Sequence, residues 1–198
     1  MKTPVLKEER VDHQILIAGM GGQGVLFLSR LLYAAAQIQG RPVFTYEIHG
    51  MSQRGGSVYS SLKIGAFRSP VLFPGSVDTL FVLERSELYT HLRQLRPGGQ
   101  VVLNHPDPDA PEIRQLAAAG YRMFVHDADA VAMRLGQPRI ANLVLLGRFM
   151  DTHPFVLARE DIRQALRQIV KPALLAVNEA AFLGESQGEK KQGPDGPR

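Results

Sequence analysis

Two stretches carry residues whose types and spacing suit chemistry, and both suit the holding of an anion. The first, residues 19–24, reads GMGGQG between a short apolar run and a long segment rich in alanine and leucine. That is the pattern of a strand, a glycine turn and a helix start. Gly19, Gly21 and Gly24 have the spacing of the dinucleotide fingerprint: a tight turn, a close approach of backbone to phosphate, and close packing of helix on strand. Backbone amides around Gly21, Gly22 and Gln23, at the helix N-terminus, would then face an anion. The same glycines also fit a close packing site with no ligand. The second stretch, residues 49–56, reads HGMSQRGG and leads into Ser57. Here three glycines and a methionine surround Arg54, so the backbone is permissive and one guanidinium supplies the fixed positive charge. Candidate ligand contacts are therefore Gly19, Gly21, Gly22, Gln23, Gly24, His49, Arg54, Gly55, Gly56 and Ser57. His49, Arg54 and Ser57 also suit a small acid–base cluster, with a solvated or interface-facing turn as the competing reading.

No self-contained catalytic set accompanies these loops. The histidines are dispersed, no HExxH occurs, and Val25 stands where a P-loop would continue into lysine. No catalytic residue and no metal ligand is assigned. The chain has no cysteine, which excludes disulfides, cysteine nucleophiles and cysteine-held zinc or iron–sulfur centres within it. A formal charge of +4 is spread over scattered arginines. No basic run interleaved with aromatics points to nucleic acid. No apolar run approaches the roughly 20 residues that span a bilayer, so no membrane partner is expected. The first residues, MKTPVLKEERVDHQ, carry acids where a secretory signal is apolar, and the expected location is the cytoplasm.

The elements that must position the two loops follow from periodicity and punctuation. Residues 1–13 read as a loose arm and 185–198 as a disordered tail, leaving one domain over 14–184. Strands are expected at 14–18, 43–48, 57–64, 77–83, 100–104 and 121–126. Helices are expected at 25–39, at 84–95 with Leu88, Leu92 and Leu95 on one face, and at 111–119. Residues 96–99 read as a turn. From Asp127, with Asp127 or Asp129 as cap, the pattern turns helical, continuing at 142–149, 159–170 and 172–183. The fold class is α/β: a Rossmann-like mixed sheet flanked by helices, with a C-terminal helical layer. The helix at 25–39 is apolar on nearly every face, so it is buried under the sheet or under another subunit. Together with the alanine-rich helix at 172–183 it is a candidate for a large apolar contact surface.

Glu47, 23 positions after Gly24, stands near the place of a ribose-binding carboxylate. Yet no helix fits between the second and third strands, and a dinucleotide fold needs a crossover there. A stand-alone enzyme using NAD or FAD, and a ligand-binding module without chemistry, remain open alternatives.

Taken together the motifs resemble a known family, the gamma-type domain of the 2-oxoacid:ferredoxin oxidoreductases. The resemblance rests on GMGGQG, on RGG at residues 54–56, on Ser69 and Pro70 followed by the apolar strand with Asp78, and on NLVLLG at 142–147. It covers roughly residues 14–184. The HGMSQRGG form looks most like the beta subunit of indolepyruvate:ferredoxin oxidoreductase. The resemblance implies an accessory subunit of a complex that decarboxylates a 2-oxoacid oxidatively, giving an acyl-CoA, CO2 and reduced ferredoxin. Thiamine diphosphate and the iron–sulfur clusters are then expected on a larger partner subunit. This chain binds no cofactor alone, and its two glycine loops contact coenzyme A in the heteromer. Indolepyruvate or another aryl 2-oxoacid is the implied substrate.

Overall fold

The computed structural model describes residues 12–49 and 55–184. Residues 1–11, 50–54 and 185–198 lie outside the described residues, and with them most of the expected arm, the expected tail and Arg54. The arm ends earlier than the sequence implies, because His13 already belongs to the first strand.

That strand, β1 (His13–Met20), runs into the glycine turn and then into α1 (Val25–Ile38). Strand β2 (Val43–His49) is followed directly by β3 (Ser57–Ile64), then by β4 (Val77–Val82). The six strands lie in the order β2-β3-β1-β4-β5-β6, completed by β5 (Leu95–Asn104) and β6 (Arg122–His126). β3 is antiparallel to both β1 and β2, whereas β4, β5 and β6 run parallel to β1 and to one another. The reason is chain length. Seven residues between β2 and β3 allow a hairpin but not the dozen or more that a parallel crossover needs. β2 therefore points the same way as β1 from two places away, at the edge of the sheet.

One face of the sheet is covered except at the β2 edge, where Thr45 is exposed. Ile15, Ile17, Leu62, Ile64, Phe81 and Val102 pack there against α1 and the C-terminal layer. That layer comprises α4 (Ala128–Arg134), α5 (Ala141–Thr152), α6 (Arg159–Ile169) and α7 (Pro172–Leu183). The Phe81 and Phe149 rings meet edge to face at 5.6 Å. α1 lies between the sheet and α6, so its all-round apolar surface is used within the chain and is not a free contact face. A buried hydroxyl pair, Ser29 Oγ and Ser60 Oγ at 2.7 Å, ties α1 to β3. Asp127 caps α4 by accepting from the Ala130 amide at 2.8 Å, which decides between the two candidate caps.

The opposite face is covered only in part. α2 (Glu87–Leu92) and α3 (Pro111–Ala118) bring Leu88, Ile113 and Leu116 onto Leu80, Val82, Val101 and Leu103. The helix expected at 84–95 is shorter, and the turn expected at 96–99 lies inside β5. Leu95 pairs with Val77, and the next pair is Thr79 with Gln100, so residues 96–99 form a bulge beside β4 with Gly98 at a φ of +68°. Two contacts pull the chain out of helix at this point. The Val77 amide donates to the Gln94 carbonyl at 2.9 Å, and Arg96 Nε donates to Asp78 Oδ1 at 2.6 Å.

The C-terminal layer is pinned where α5 crosses α7 at Gly147. A Cβ at that position would run into the backbone carbonyl of Phe182. Arg159 straps the crossing, donating to the Gly147 carbonyl at 2.8 Å and the Phe182 carbonyl at 3.2 Å. Overpacking at such a site costs about 1–3 kcal/mol, so Gly147→Ala is expected to lower the thermal midpoint by several degrees. A melt that coincides with wild type would show that the crossing yields without cost.

Candidate functional site

The glycine turn is held from three sides, and each glycine has a separate reason. On the β3 side the Gly21 amide donates to the Gly56 carbonyl at 2.9 Å. A Cβ on Gly21 would sit 3.5 Å from the Gly55 nitrogen, so the two loops touch backbone to backbone. On the β4 side Gln23 accepts from the Met20 amide at 2.8 Å and donates to Glu84 Oε2 at 2.9 Å. From α5, Asn142 Nδ2 donates to the Gly24 carbonyl at 3.1 Å. Gly24 is the N-cap of α1 with a φ of 83°, and a side chain there would collide with Asn142. Gly19 is closely surrounded by Gln23, Leu83 and Val25.

β1 and β2 point the same way, so Met20 and His49 end at one edge of the sheet, where β3 begins: Met20 pairs with Ser57 and His49 with Val58. The structure therefore brings Gly19, Gly21, Gly22, Gln23, Gly24, Gly55, Gly56 and Ser57 together. Arg54 lies outside the described residues, and of His49 only the strand backbone is described. Among the described residues, and chain neighbours aside, no atom lies within 4 Å of where a Cβ would stand on Gly22 or Gly55. No side chain caps α1 and no acid lies in its first turn. Its leading amides carry a partial positive charge for an anion.

Ser57 is engaged differently from the expected acid–base cluster. Its hydroxyl donates to Glu87 Oε2 at 2.7 Å, and His91 Nε2 meets the same oxygen at 3.2 Å. Glu87 and His91 are both buried, and the Tyr59 ring lies 4.9 Å from the His91 ring. A serine nucleophile needs its base in contact and the carboxylate behind that base. Here the carboxylate sits between serine and histidine, so the trio fixes the start of β3 against α2. Glu87 and His91 stand four apart on one face of a helix, the local signal that the two side chains meet. Burial holds the His91 imidazole below its usual value, against the raising effect of Glu87 and with Arg93 also lowering it.

The crevice at the C-terminal ends of β1 and β4, where α1 and α2 leave on opposite faces, is the place a dinucleotide would occupy. It is filled. Gln23 bridges to Glu84, and Asn104 Nδ2 donates to Asp129 Oδ2 at 2.8 Å. The cavity left between Gln23, Leu83, Asn104 and Asn142 is about 30 Å³, against the several hundred that a cofactor needs. Glu47 lies on β2, two strands from β1. The reading of residues 19–24 with Glu47 as an NAD or FAD site therefore does not fit this geometry. Among the described residues, no cluster of three or more histidine, aspartate or glutamate side chains is placed to hold a metal.

Comparison with known proteins gives a consistent result. The family model described as pyruvate ferredoxin/flavodoxin oxidoreductase matches residues 14–184. The indolepyruvate oxidoreductase subunit IorB of Thermococcus kodakarensis is 32% identical, over 86% of this chain and 93% of that protein. The ketoisovalerate oxidoreductase subunit VorA of Methanothermobacter marburgensis is 30% identical over 83% of this chain, but over only 33% of its own length. Among solved structures, the gamma subunit of a keto/oxoacid ferredoxin oxidoreductase from Geobacter sulfurreducens superposes with a TM-score of 0.67. It is 25% identical, and the match covers 86% of this chain and 94% of that one.

One buried and two half-buried histidines make stability depend on pH. His13, His91 and His126 are each held below their usual value chiefly by burial. The unfolded chain takes up these protons near pH 6.5, before the folded chain does. The stabilisation is therefore complete above about pH 6.5 and is lost as pH falls toward the folded values. The thermal midpoint is expected to drop between about pH 7.5 and 5.5, and His91→Gln should flatten that slope. An unchanged slope in the variant would show that His91 titrates alike in both states.

Proposed function

The chain belongs to the pyruvate ferredoxin/flavodoxin oxidoreductase family as a gamma-type subunit of 2-oxoacid:ferredoxin oxidoreductases, and from that premise we propose its part in the reaction. The complex oxidises indolepyruvate or another aryl 2-oxoacid: the carboxylate leaves as CO2, the acyl group passes to the coenzyme A thiol, and two electrons pass to ferredoxin. The IorB relative supports the aryl substrate. This chain has no cysteine, so thiolates that hold clusters belong to a larger subunit, and thiamine diphosphate is assigned there too. When bound there, thiamine diphosphate would supply an electron sink for the decarboxylation. No described helix is long and apolar enough to cross a membrane, and the assembly is assigned to the cytoplasm.

Within the complex, residues 14–184 present a landing site for the diphosphate end of coenzyme A. The observation that carries this reading is the backbone contact of Gly21 with Gly56, which unites the two glycine loops at one edge. The Gly21 and Gln23 amides are used inside the turn, Gln23 donating to the Met20 carbonyl at 3.1 Å. This leaves Gly22 and the leading amides of α1 to face phosphate, with Arg54 adding two parallel donors from the facing loop. Glycine at 22 and 55 keeps the approach clear of side chains.

The isolated chain is expected to be colourless and without turnover of any 2-oxoacid, activity appearing once the larger subunit is added. Cluster absorbance or turnover by this chain alone would refute the subunit reading. In the assembled enzyme, Arg54→Ala is expected to raise the KM for coenzyme A by about tenfold or more, the worth of a charge-assisted contact, and to leave assembly intact. Should the complex dissociate instead, Arg54 belongs to the subunit interface.

A further inference from the structure

The two faces of the sheet are covered unequally. One packs against α1 and the C-terminal layer, and on the other α2 and α3 pack over β4, β5 and β6 and onto Leu16 of β1. Among the described residues, Leu16, Ser61 and Lys63 are buried on this second face, but toward the β2 edge its surface is aromatic and exposed. Phe44 and Tyr46 of β2, Val71 and Phe73 of the connection from β3 to β4, and Tyr89 of α2 are between 38% and 65% exposed. Register places Tyr46, Ser61 and Leu16 in one row and Phe44, Lys63 and Gln14 in the next. Between them, Tyr46, Tyr59, Leu72, His91 and Arg93 surround a cavity of about 350 Å³, room for one or two large side chains.

Exposed apolar surface on this scale marks a contact site. We propose that this exposed aromatic patch is where the larger subunit packs, through an apolar projection that fills the cavity and a carboxylate that meets Arg93. The inference rests on the subunit reading above and adds its surface.

Two observations select this occupant. The first is charge. Arg93 lies exposed at the cavity, whereas Lys63 is buried with its Nζ 5.1 Å from the Phe67 ring centroid and 5.8 Å from that of Phe73. The nearby acids are already engaged: Glu87 by Ser57 and His91, Asp78 by Arg96. Among the described residues the face is thus aromatic and cationic. A second copy of this chain joined by two-fold symmetry would set such a face against itself, cation to cation. An acid-flanked apolar surface complements it. The second observation is chain length. This chain matches only a third of the VorA relative, where a domain of this kind is continuous with twice as much further polypeptide. What a fused protein buries inside one chain must here be an exposed surface. The outer face of α6 and α7 carries ion pairs, Arg163 with Glu160 and Arg167 with Glu179, beside a single exposed leucine, Leu174, on α7.

The test is co-expression with the larger subunit encoded in the same genome, followed by affinity purification and titration. Tyr46→Asp combined with Phe73→Asp removes two exposed rings, so the free variant should melt as wild type does. Its affinity for the larger subunit is expected to fall at least a hundredfold, whereas Glu160→Lys on α6 should bind normally. In the wild-type complex, amides of residues 71–75 should gain protection from hydrogen exchange, a readout that stands even if the double variant fails to fold. Normal binding by a folded double variant, or absence of that protection, overturns the proposal. So does a wild-type chain that dimerises alone and is dissociated by Tyr46→Asp, which would make the occupant a second copy. Saturable binding of phenylacetate in the cavity of the free chain, abolished by Tyr46→Asp, would likewise overturn it in favour of a small aryl acid. If wild type and Glu160→Lys both fail to bind the larger subunit, the subunit reading itself fails, together with this surface.

Discussion

The structure depends on keeping side chains out of the turn between β1 and α1. Gly24 is left-handed, and the space its Cβ would need is held by Asn142, which is 118 positions away and donates to the Gly24 carbonyl. Gln23 ties the same turn to the end of β4 through Glu84, and Gly21 ties it to the start of β3 through Gly56. A typical hydrogen bond contributes a net ~1 kcal/mol, but a partner left buried and unpaired costs more than the bond contributes. Three such contacts converge within four residues. The direction in which α1 leaves the sheet, and hence the cover over Ile15, Ile17 and Leu62, follows from that junction.

A second decision, the hairpin between β2 and β3, sets the topology. It inserts an antiparallel strand where a dinucleotide fold has a parallel neighbour, so Glu47 is carried to the sheet edge and loses any role toward a ribose. The same reversal returns the chain to the glycine turn, because β3 must begin where β2 ends. One short connection thus removes one binding geometry and brings the two glycine loops into contact. It also leaves β2 and β3 without a crossover helix on the second face, and Phe44 and Tyr46 of the edge strand remain exposed among the described residues.

Much of this was legible from local pattern. Strands β1 and β3, helix α1 and the glycine stops declare themselves by periodicity and by residues that tolerate positive φ. The meeting of the two glycine loops was inferable from strand direction alone. What the sequence hid is what depends on contacts far apart in the chain. Helix α2 was read too long because Leu95 continues an apolar helical stripe, yet its partner is Val77 across the sheet. The burial of Glu87 and His91 is not local either, since Ser57, 30 positions earlier, arrives to bond Glu87. The apolar surface of α1 was plain, but that α6 covers it depends on how the C-terminal helices fold back. Gln23 was read as a ligand contact, and its own hydrogen bonds place it inside the turn.

The distribution of charge around the turn sharpens the chemistry. Glu84 and Asp129 line the crevice on the β4 and β5 side and are satisfied there by Gln23 and Asn104. An anion brought to that side would meet two carboxylates at short range. On the β3 side no described carboxylate faces Gly22, Gly55 or the leading amides of α1, because Glu87 is buried and already shared by Ser57 and His91. The field of the helix therefore acts on the side where the two loops touch and is opposed on the side of the dinucleotide crevice. A turn with the spacing of a nucleotide fingerprint is thereby redirected: its amides look across to the neighbouring loop, and the crevice that a dinucleotide fold leaves open is closed by the protein's own side chains.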